Sequence, residues 1–202
     1  MPTSLPVQAA ISGEATPRTR YAYKASLIGS AHQFELTDAG LSWQISGRSG
    51  VWAYTDIAML RLSYKPSSMQ SRRFRADIKS IGGYRIAILS TTWQTASLMT
   101  PQDNGYRAFI VELHRRMAAA GSKAVLVAGI RPATYAIALA MLAFLAVSMT
   151  GLFARAVWTG EWYGALFLVG FAALFTWQIG GFVRRNRPRT YDFDHLPETL
   201  LP

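Results

Sequence analysis

Two long stretches toward the C-terminal end of the chain carry no charge, Ala133–Ala154 and Trp162–Val183. As helices of about 22 residues, each is long enough to cross a bilayer core of about 30 Å. Only Arg155 and Glu161 are charged in the connector between them. Core helices of soluble proteins normally keep a polar face, and these two stretches have none. The pattern predicts a transmembrane hairpin over 133–183, with spans at 133–154 and 162–183. The lipid bilayer is then the first partner of this chain. About 130 residues precede the hairpin, enough for one domain with its own core.

Flanking charges orient the hairpin. Arg131 stands just before the first stretch, behind Arg115, Arg116 and Lys123. Arg184, Arg185, Arg187 and Arg189 follow the second. Short basic flanks stay on the cytoplasmic side, so both termini are expected there and the connector outside. Trp158, Trp162 and Tyr163 lie where an aromatic belt would mark the outer interface. Neither span holds an ionisable residue, which argues against a proton relay, an ion site or a transporter. Small residues recur at helical spacing: Ala136, Ala140 and Ala143 in the first span, Gly170 and Ala173 in the second. Such seams let helices approach closely. They fit either the two spans packing on each other or a homo-oligomer.

The formal net charge is +10, and residues 1–132 hold 16 Lys/Arg against 7 Asp/Glu. In a membrane-bound chain this excess points to an anionic membrane surface rather than to nucleic acid. The absence of cysteine excludes disulfides, cysteine nucleophiles and thiolate metal sites. Residues 1–20 have neither the basic start nor the apolar run of a signal peptide. Rich in Pro, Ser, Thr and Ala, they read as a disordered arm.

From Tyr21 to Leu98 the apolar residues recur with period two. Phe34 and Leu36 flank Glu35; Leu41, Trp43 and Ile45 alternate with Ser42 and Gln44; Ile86 and Ile88 flank Ala87. This is the pattern of strands with one buried face. Turn residues divide the runs at Gly29-Ser30, Asp38–Gly40, Ser46–Gly50, Lys65–Ser68 and Gly82-Gly83, the last a two-residue hairpin signal. About seven strands result, as in a meander barrel or sandwich. Thr100-Pro101-Gln102-Asp103 then reads as a helix start, with Thr100 as cap and proline at the first position. Tyr106, Phe109, Ile110, Leu113 and Met117 form one apolar stripe, and Gly121 is a natural stop. The helix is expected to close one open end of a bent sheet.

Three segments carry a family resemblance: "FELTDAGLSW" (Phe34–Trp43), "WAYTDIAMLRL" (Trp52–Leu62) and "YRAFIVELHRRMAAAG" (Tyr106–Gly121). In pattern and order, the region Tyr21–Gly121 resembles the PH-like domains of small bacterial membrane proteins, which often join such a domain to two or more spans. The resemblance implies an α+β fold, about seven antiparallel strands plus a C-terminal capping helix, joined to the helical hairpin. It also implies a binding or scaffolding module with no shared catalytic apparatus and no cofactor, at the cytoplasmic face of a bacterial inner membrane. Phosphoinositide-binding PH domains carry a Lys-x-Arg-type pattern in their first hairpin. Here that hairpin reads "LIGSAHQF" (Leu27–Phe34), so the resemblance does not extend to that ligand.

The densest basic cluster is Lys65, Arg72, Arg73, Arg75 and Lys79, on a Pro- and Ser-containing loop and the strand after it. It is the candidate contact for anionic headgroups or a partner, each charge near the surface adding about 1 kcal/mol. Tyr64 and Phe74 flank it but fit the alternating core pattern, so base stacking is not required. His32, His114 and His195 fall in no P-loop, nucleophile elbow or HExxH motif. Asp192, Asp194 and His195 are metal-ligand types, but on a flexible tail they are ordinarily solvated, and no metal is expected. Residues 122–132 read as a linker, and 184–202 as a basic, Pro-containing cytoplasmic tail. The expected function is a membrane-anchored, non-enzymatic binding or scaffolding module with an unidentified protein partner. An accessory or assembly subunit of a larger membrane complex, acting through its spans, is the alternative.

Overall fold

The structure, a computed structural model, describes residues 19–26, 29–65, 72–94 and 99–202. The disordered arm read over 1–20 lies almost wholly outside these residues, as does the 66–71 part of the basic loop.

The N-terminal region is sheet-rich. Strands β1 (Arg20–Tyr23), β2 (His32–Thr37), β3 (Gly40–Ile45) and β4 (Arg48–Trp52) form an antiparallel meander in that order. Its turns follow from local chemistry. Between the paired residues Ile45 and Arg48, Ser46 and Gly47 both adopt positive φ, +47° and +78°. That is the mirror-image turn whose twist suits a two-residue hairpin. Gly40, opposite Thr37, has no room for a side chain, because a Cβ there would collide with the Trp52 carbonyl oxygen.

A second meander holds β5 (Ile57–Tyr64), β6 (Phe74–Ser80) and β7 (Arg85–Leu89). The Gly82-Gly83 hairpin is one residue longer than its sequence suggests. The Ser80 amide donates to the Tyr84 carbonyl at 3.0 Å and the Gly83 amide to the Ser80 carbonyl at 3.0 Å. Gly83 takes φ +86°, so a three-residue loop with a left-handed glycine closes the turn. A short hairpin, β8 (Thr91–Trp93) and β9 (Met99–Pro101), follows. At one edge two phenols staple the sheets. Tyr21 Oη donates to the Leu89 carbonyl and Tyr23 Oη to the Ala87 carbonyl, both at 2.6 Å. Burial raises both phenols above their ordinary range, Tyr23 to about 12.

Helix α1 (Asp103–Ala119) packs across the two meanders. Its start corrects the capping expectation: Pro101 closes β9, and Gln102 holds the cap position without a side-chain bond. Thr100 pairs with Thr92 in the β8–β9 hairpin, two residues before the cap position. The predicted stripe is the buried face, with Tyr106, Phe109, Ile110, Leu113 and Met117 all fully buried. Each apolar side chain of that kind removed from water contributes about 1.5–3 kcal/mol. Gly121, at φ +66°, ends the helix.

Residues 122–132 are not a linker. Val125–Ala128 form β10, which pairs in parallel with β5 and buries Leu126 and Ala128 in the core. The segment 184–202 is not a free tail either. Arg189–Thr190 form β11 against β10, so the sheet runs β11-β10-β5-β6-β7. Leu200 and Leu201 are buried in the core, and Tyr191, Phe193 and Leu196 pack on it. The domain is therefore completed by chain from both sides of the hairpin, because its own meander leaves the apolar edge of β5 uncovered.

Helices α2 (Pro132–Trp158) and α3 (Trp162–Arg185) form the hairpin. Both are long and apolar enough to cross a membrane, with mean hydropathy of 2.2 and 1.8, and neither most-apolar window is buried in the protein. α2 continues through Arg155 to Trp158, so the break between the helices is only Thr159–Glu161. Ala136, Ala140, Ala143, Gly170 and Ala173 are exposed. The small-residue seams therefore do not form the α2–α3 contact. Bulkier residues, among them Leu145, Met149, Phe153, Leu168 and Phe175, face each other there across an open groove.

Candidate functional site

Strand alternation sorts the basic cluster. On β6, Phe74, Ala76 and Ile78 point into the core, which leaves Arg75, Asp77 and Lys79 on the other face. Arg75 is committed to its neighbour, its Nε and Nη2 donating to Asp77 Oδ1 at 2.8 and 2.6 Å. Lys79 sits at the far end of β6, opposite Arg85. Arg73 is half-buried, and its Nε donates to Thr91 Oγ1 at 3.1 Å. Lys65 and Arg72, at the two ends of the loop, are exposed. The five residues thus do not form one patch.

The structure instead joins Arg72 to a group far away in sequence. Arg72, Arg184, Arg185 and Arg189 surround one cavity of about 480 Å³ beside the foot of α3, together with Asp103 and Glu198. Arg184 and Arg185 occupy the last turn of α3, where cations complement the helix dipole. The Arg185 guanidinium lies 5.4 Å from the centre of the Tyr64 ring, a cation–π contact. Arg189 Nη2 donates to Thr199 Oγ1 at 3.3 Å. Glu198 pairs with Arg107 at 3.2 Å, so its charge is partly answered from outside the arginine group. Asp103 Oδ1 is buried without a hydrogen-bond partner, and burial pushes this carboxyl above the usual range against the pull of Arg72. Arg131 caps α2 without a side-chain bond, and Arg187 is exposed; neither lines this cavity.

A buried amide ties the end of α3 to the β-domain. Asn186 follows α3 and is fully buried. Its Oδ1 accepts from the Tyr64 amide at 3.1 Å, and its Nδ2 donates to the Phe182 carbonyl at 3.2 Å. Its own carbonyl accepts from the Ile130 amide, just before α2, at 3.2 Å. Gly129, at φ +87°, allows that approach, since a Cβ there would clash with the Asn186 and Arg187 carbonyls. Nothing in the sequence signals this meeting of residues more than a hundred positions apart. It depends on the β10–β5 and β10–β11 pairings, which involve only a few residues each.

The apolar groove between α2 and α3 has a volume of about 620 Å³. It runs along both helices to Val183 and Arg184. Arg184 thus lines the groove and the basic cavity alike.

Two further polar clusters tie elements of the fold together. Glu112 is buried on α1 and receives Arg115 at 2.7 and 2.6 Å and Arg116 at 2.8 Å. These guanidinium bonds outweigh burial and hold its carboxyl at about 2. His114 Nδ1 donates to the Ile110 carbonyl at 2.7 Å, which leaves Nε2 to accept from Tyr191 Oη at 2.8 Å. Burial keeps this imidazole neutral by lowering its pKa. The pair fastens the segment after β11 to α1. No group of three or more His, Asp or Glu is placed to hold a metal ion among the described residues, Asp192, Asp194 and His195 included.

Comparison with protein-family models, with curated proteins and with solved structures gives no match.

Proposed function

We propose that this protein is a membrane-anchored, non-enzymatic binding or scaffolding module, with a PH-like β-domain held at the cytoplasmic face of a bacterial inner membrane by a two-span hairpin. The observation that carries the reading is the β10–β11 pairing. It zips the chain entering α2 to the chain leaving α3, within the domain's own sheet. A domain so fastened cannot drift on a flexible linker, and it keeps one face toward the plane from which the hairpin rises. The element order supports the PH-like reading: a four-strand meander, a three-strand meander, a short hairpin, then an amphipathic helix. The basic flanks support the cytoplasmic placement of both ends. A protein partner is favoured over nucleic acid because Arg75, Arg107, Arg115 and Arg116 are tied into ion pairs and Arg72, Arg184, Arg185 and Arg189 gather at the hairpin's foot.

The second reading, an assembly subunit acting through its spans, is favoured by one observation. The seam Ala136, Ala140 and Ala143 is not covered by α3 and remains open to another helix, of a homo-oligomer or of a larger complex.

Crosslinking and pull-down of the full chain from native membranes test both. Crosslinks from exposed β-domain positions such as Arg48 and Tyr84 to one partner support the module. Crosslinks confined to α2 and α3 replace it with the subunit reading. Release of the chain from membranes by alkaline carbonate overturns the anchor.

A further inference from the structure

We infer that the α2–α3 groove and the basic cavity at its foot form one binding site for an anionic glycerophospholipid, with the phosphate among the arginines and an acyl chain in the groove. The inference rests on the reading of α2 and α3 as membrane spans and names a ligand for that assembly.

Charge comes first. Arg72, Arg184, Arg185 and Arg189 reach the cavity from the β5–β6 loop, the end of α3 and β11. Of the two carboxyls there, Glu198 is paired with Arg107 outside the group, so the four arginines keep a positive excess. Arg184 is in no ion pair or hydrogen bond with any described residue, and Arg72 acts on Asp103 through its charge without a hydrogen bond. Four guanidinium groups against two carboxyls in a concave site fit a phosphate, because the planar fork matches its oxygens two at a time.

Continuity decides which phosphate. A soluble phosphate compound would have no use for the apolar groove, and a neutral lipid would have none for the arginines. Arg184 belongs to both and is the first charged residue after the apolar run of α3. It sits at the depth where hydrocarbon gives way to headgroups. The groove above it is lined by aliphatic and aromatic side chains such as Leu145, Met149, Leu168 and Phe175. One phospholipid has both halves in that order. Binding would also fasten the β-domain to the hairpin, since Arg72 and Arg189 belong to the domain and Arg184 to the span.

The test uses the full chain in a neutral detergent, with lipid adducts counted and titrated by native mass spectrometry. The probes are phosphatidylglycerol, phosphatidylcholine of the same acyl chains, and glycerol 3-phosphate. One phosphatidylglycerol should bind at least about tenfold more tightly than phosphatidylcholine, and glycerol 3-phosphate should not compete at equal concentration. The combined change Arg72→Gln, Arg184→Gln and Arg189→Gln should abolish the preference. Arg48→Gln with Arg85→Gln, away from the cavity, should leave it intact. Ala172→Trp, which fills the groove and keeps every arginine, should weaken phosphatidylglycerol as well. If the triple variant does not fold, the wild-type lipid series and Ala172→Trp still decide. Equal affinity for the two lipids, or an unchanged Ala172→Trp variant, overturns the site. Glycerol 3-phosphate binding as tightly as phosphatidylglycerol would identify a free phosphate ligand and overturn the lipid. Carbonate extraction separates the two failures: release from membranes sinks the anchor, whereas retention without headgroup preference sinks only this site.

Discussion

The Asn186 side chain accepts the Tyr64 amide hydrogen at 3.1 Å and joins the last residue of β5 to the end of the apolar hairpin. β5 ends there, and without Asn186 the half-buried Tyr64 amide would lose its protein acceptor. Asn186 is thus a hinge pin between the β-domain and the helices, and its loss has a calculable cost.

Asn186→Ala removes the acceptor and strands the Tyr64 amide. Leaving such a group unsatisfied costs about 1–3 kcal/mol. Denaturant unfolding of the full chain in detergent, followed by a β-domain probe, should show a loss of that size. An unchanged midpoint would mean that the amide finds water and that Asn186 does not hold the joint.

Leu200→Ala should destabilise the β-domain nearly as much as Leu113→Ala, about 2–5 kcal/mol each, because both side chains are fully buried. The comparison discriminates sharply. If residues after β11 were a free tail, Leu200→Ala would be silent while Leu113→Ala was not. For the same reason a fragment ending at Gly121 lacks β10, β11, Leu200 and Leu201, and should fail to reach the stability of the full chain.

With α2 and α3 as membrane spans, as proposed, the β10–β11 pairing puts Lys123 and Asp192 on one side of the membrane and Thr159 on the other. The chain contains no cysteine, so single reporters Lys123→Cys, Asp192→Cys and Thr159→Cys can be labelled with an impermeant maleimide in intact cells. Thr159→Cys should react from outside and the other two only after permeabilisation. Reaction of Lys123→Cys and Asp192→Cys from opposite sides would be incompatible with the sheet.

The Glu112 carboxyl is held at about 2 in the folded chain, below its ordinary 4.5, by the guanidinium bonds of Arg115 and Arg116. A depressed carboxyl pKa means that the unfolded state binds the proton more readily. The stabilisation is therefore complete above about pH 4.5 and is lost as pH falls toward 2. Glu112→Gln should lower stability at neutral pH and flatten its decline across that window. A variant with the wild-type slope would place the acid sensitivity elsewhere.

Some of this protein was legible one residue at a time. The apolar hairpin follows from two uncharged stretches and needs no tertiary information, because length and hydropathy are local sums. The helical stripe Tyr106–Met117 and the period-two strands are equally local, since a buried face repeats with its element's own period. The turn at Gly82-Gly83 was visible as a turn, but its length depends on the register that Ser80 and Tyr84 adopt.

Local pattern could not decide how far the domain extends. Val125–Ala128 and Arg189–Thr190 are too short to announce themselves as strands; they become strands because β5 offers an unpaired edge beside the hairpin. Leu200 and Leu201, read alone, belong to a polar, Pro-containing tail, and they are core only because β11 returns the chain to α1. The basic residues divide the same way. Composition could show an excess of arginine before and after the hairpin. Only the folded sheet brings Arg72 to Arg184, Arg185 and Arg189, because proximity between distant residues is set by strand pairing and by the buried bonds of Asn186, neither of which has a period in the sequence.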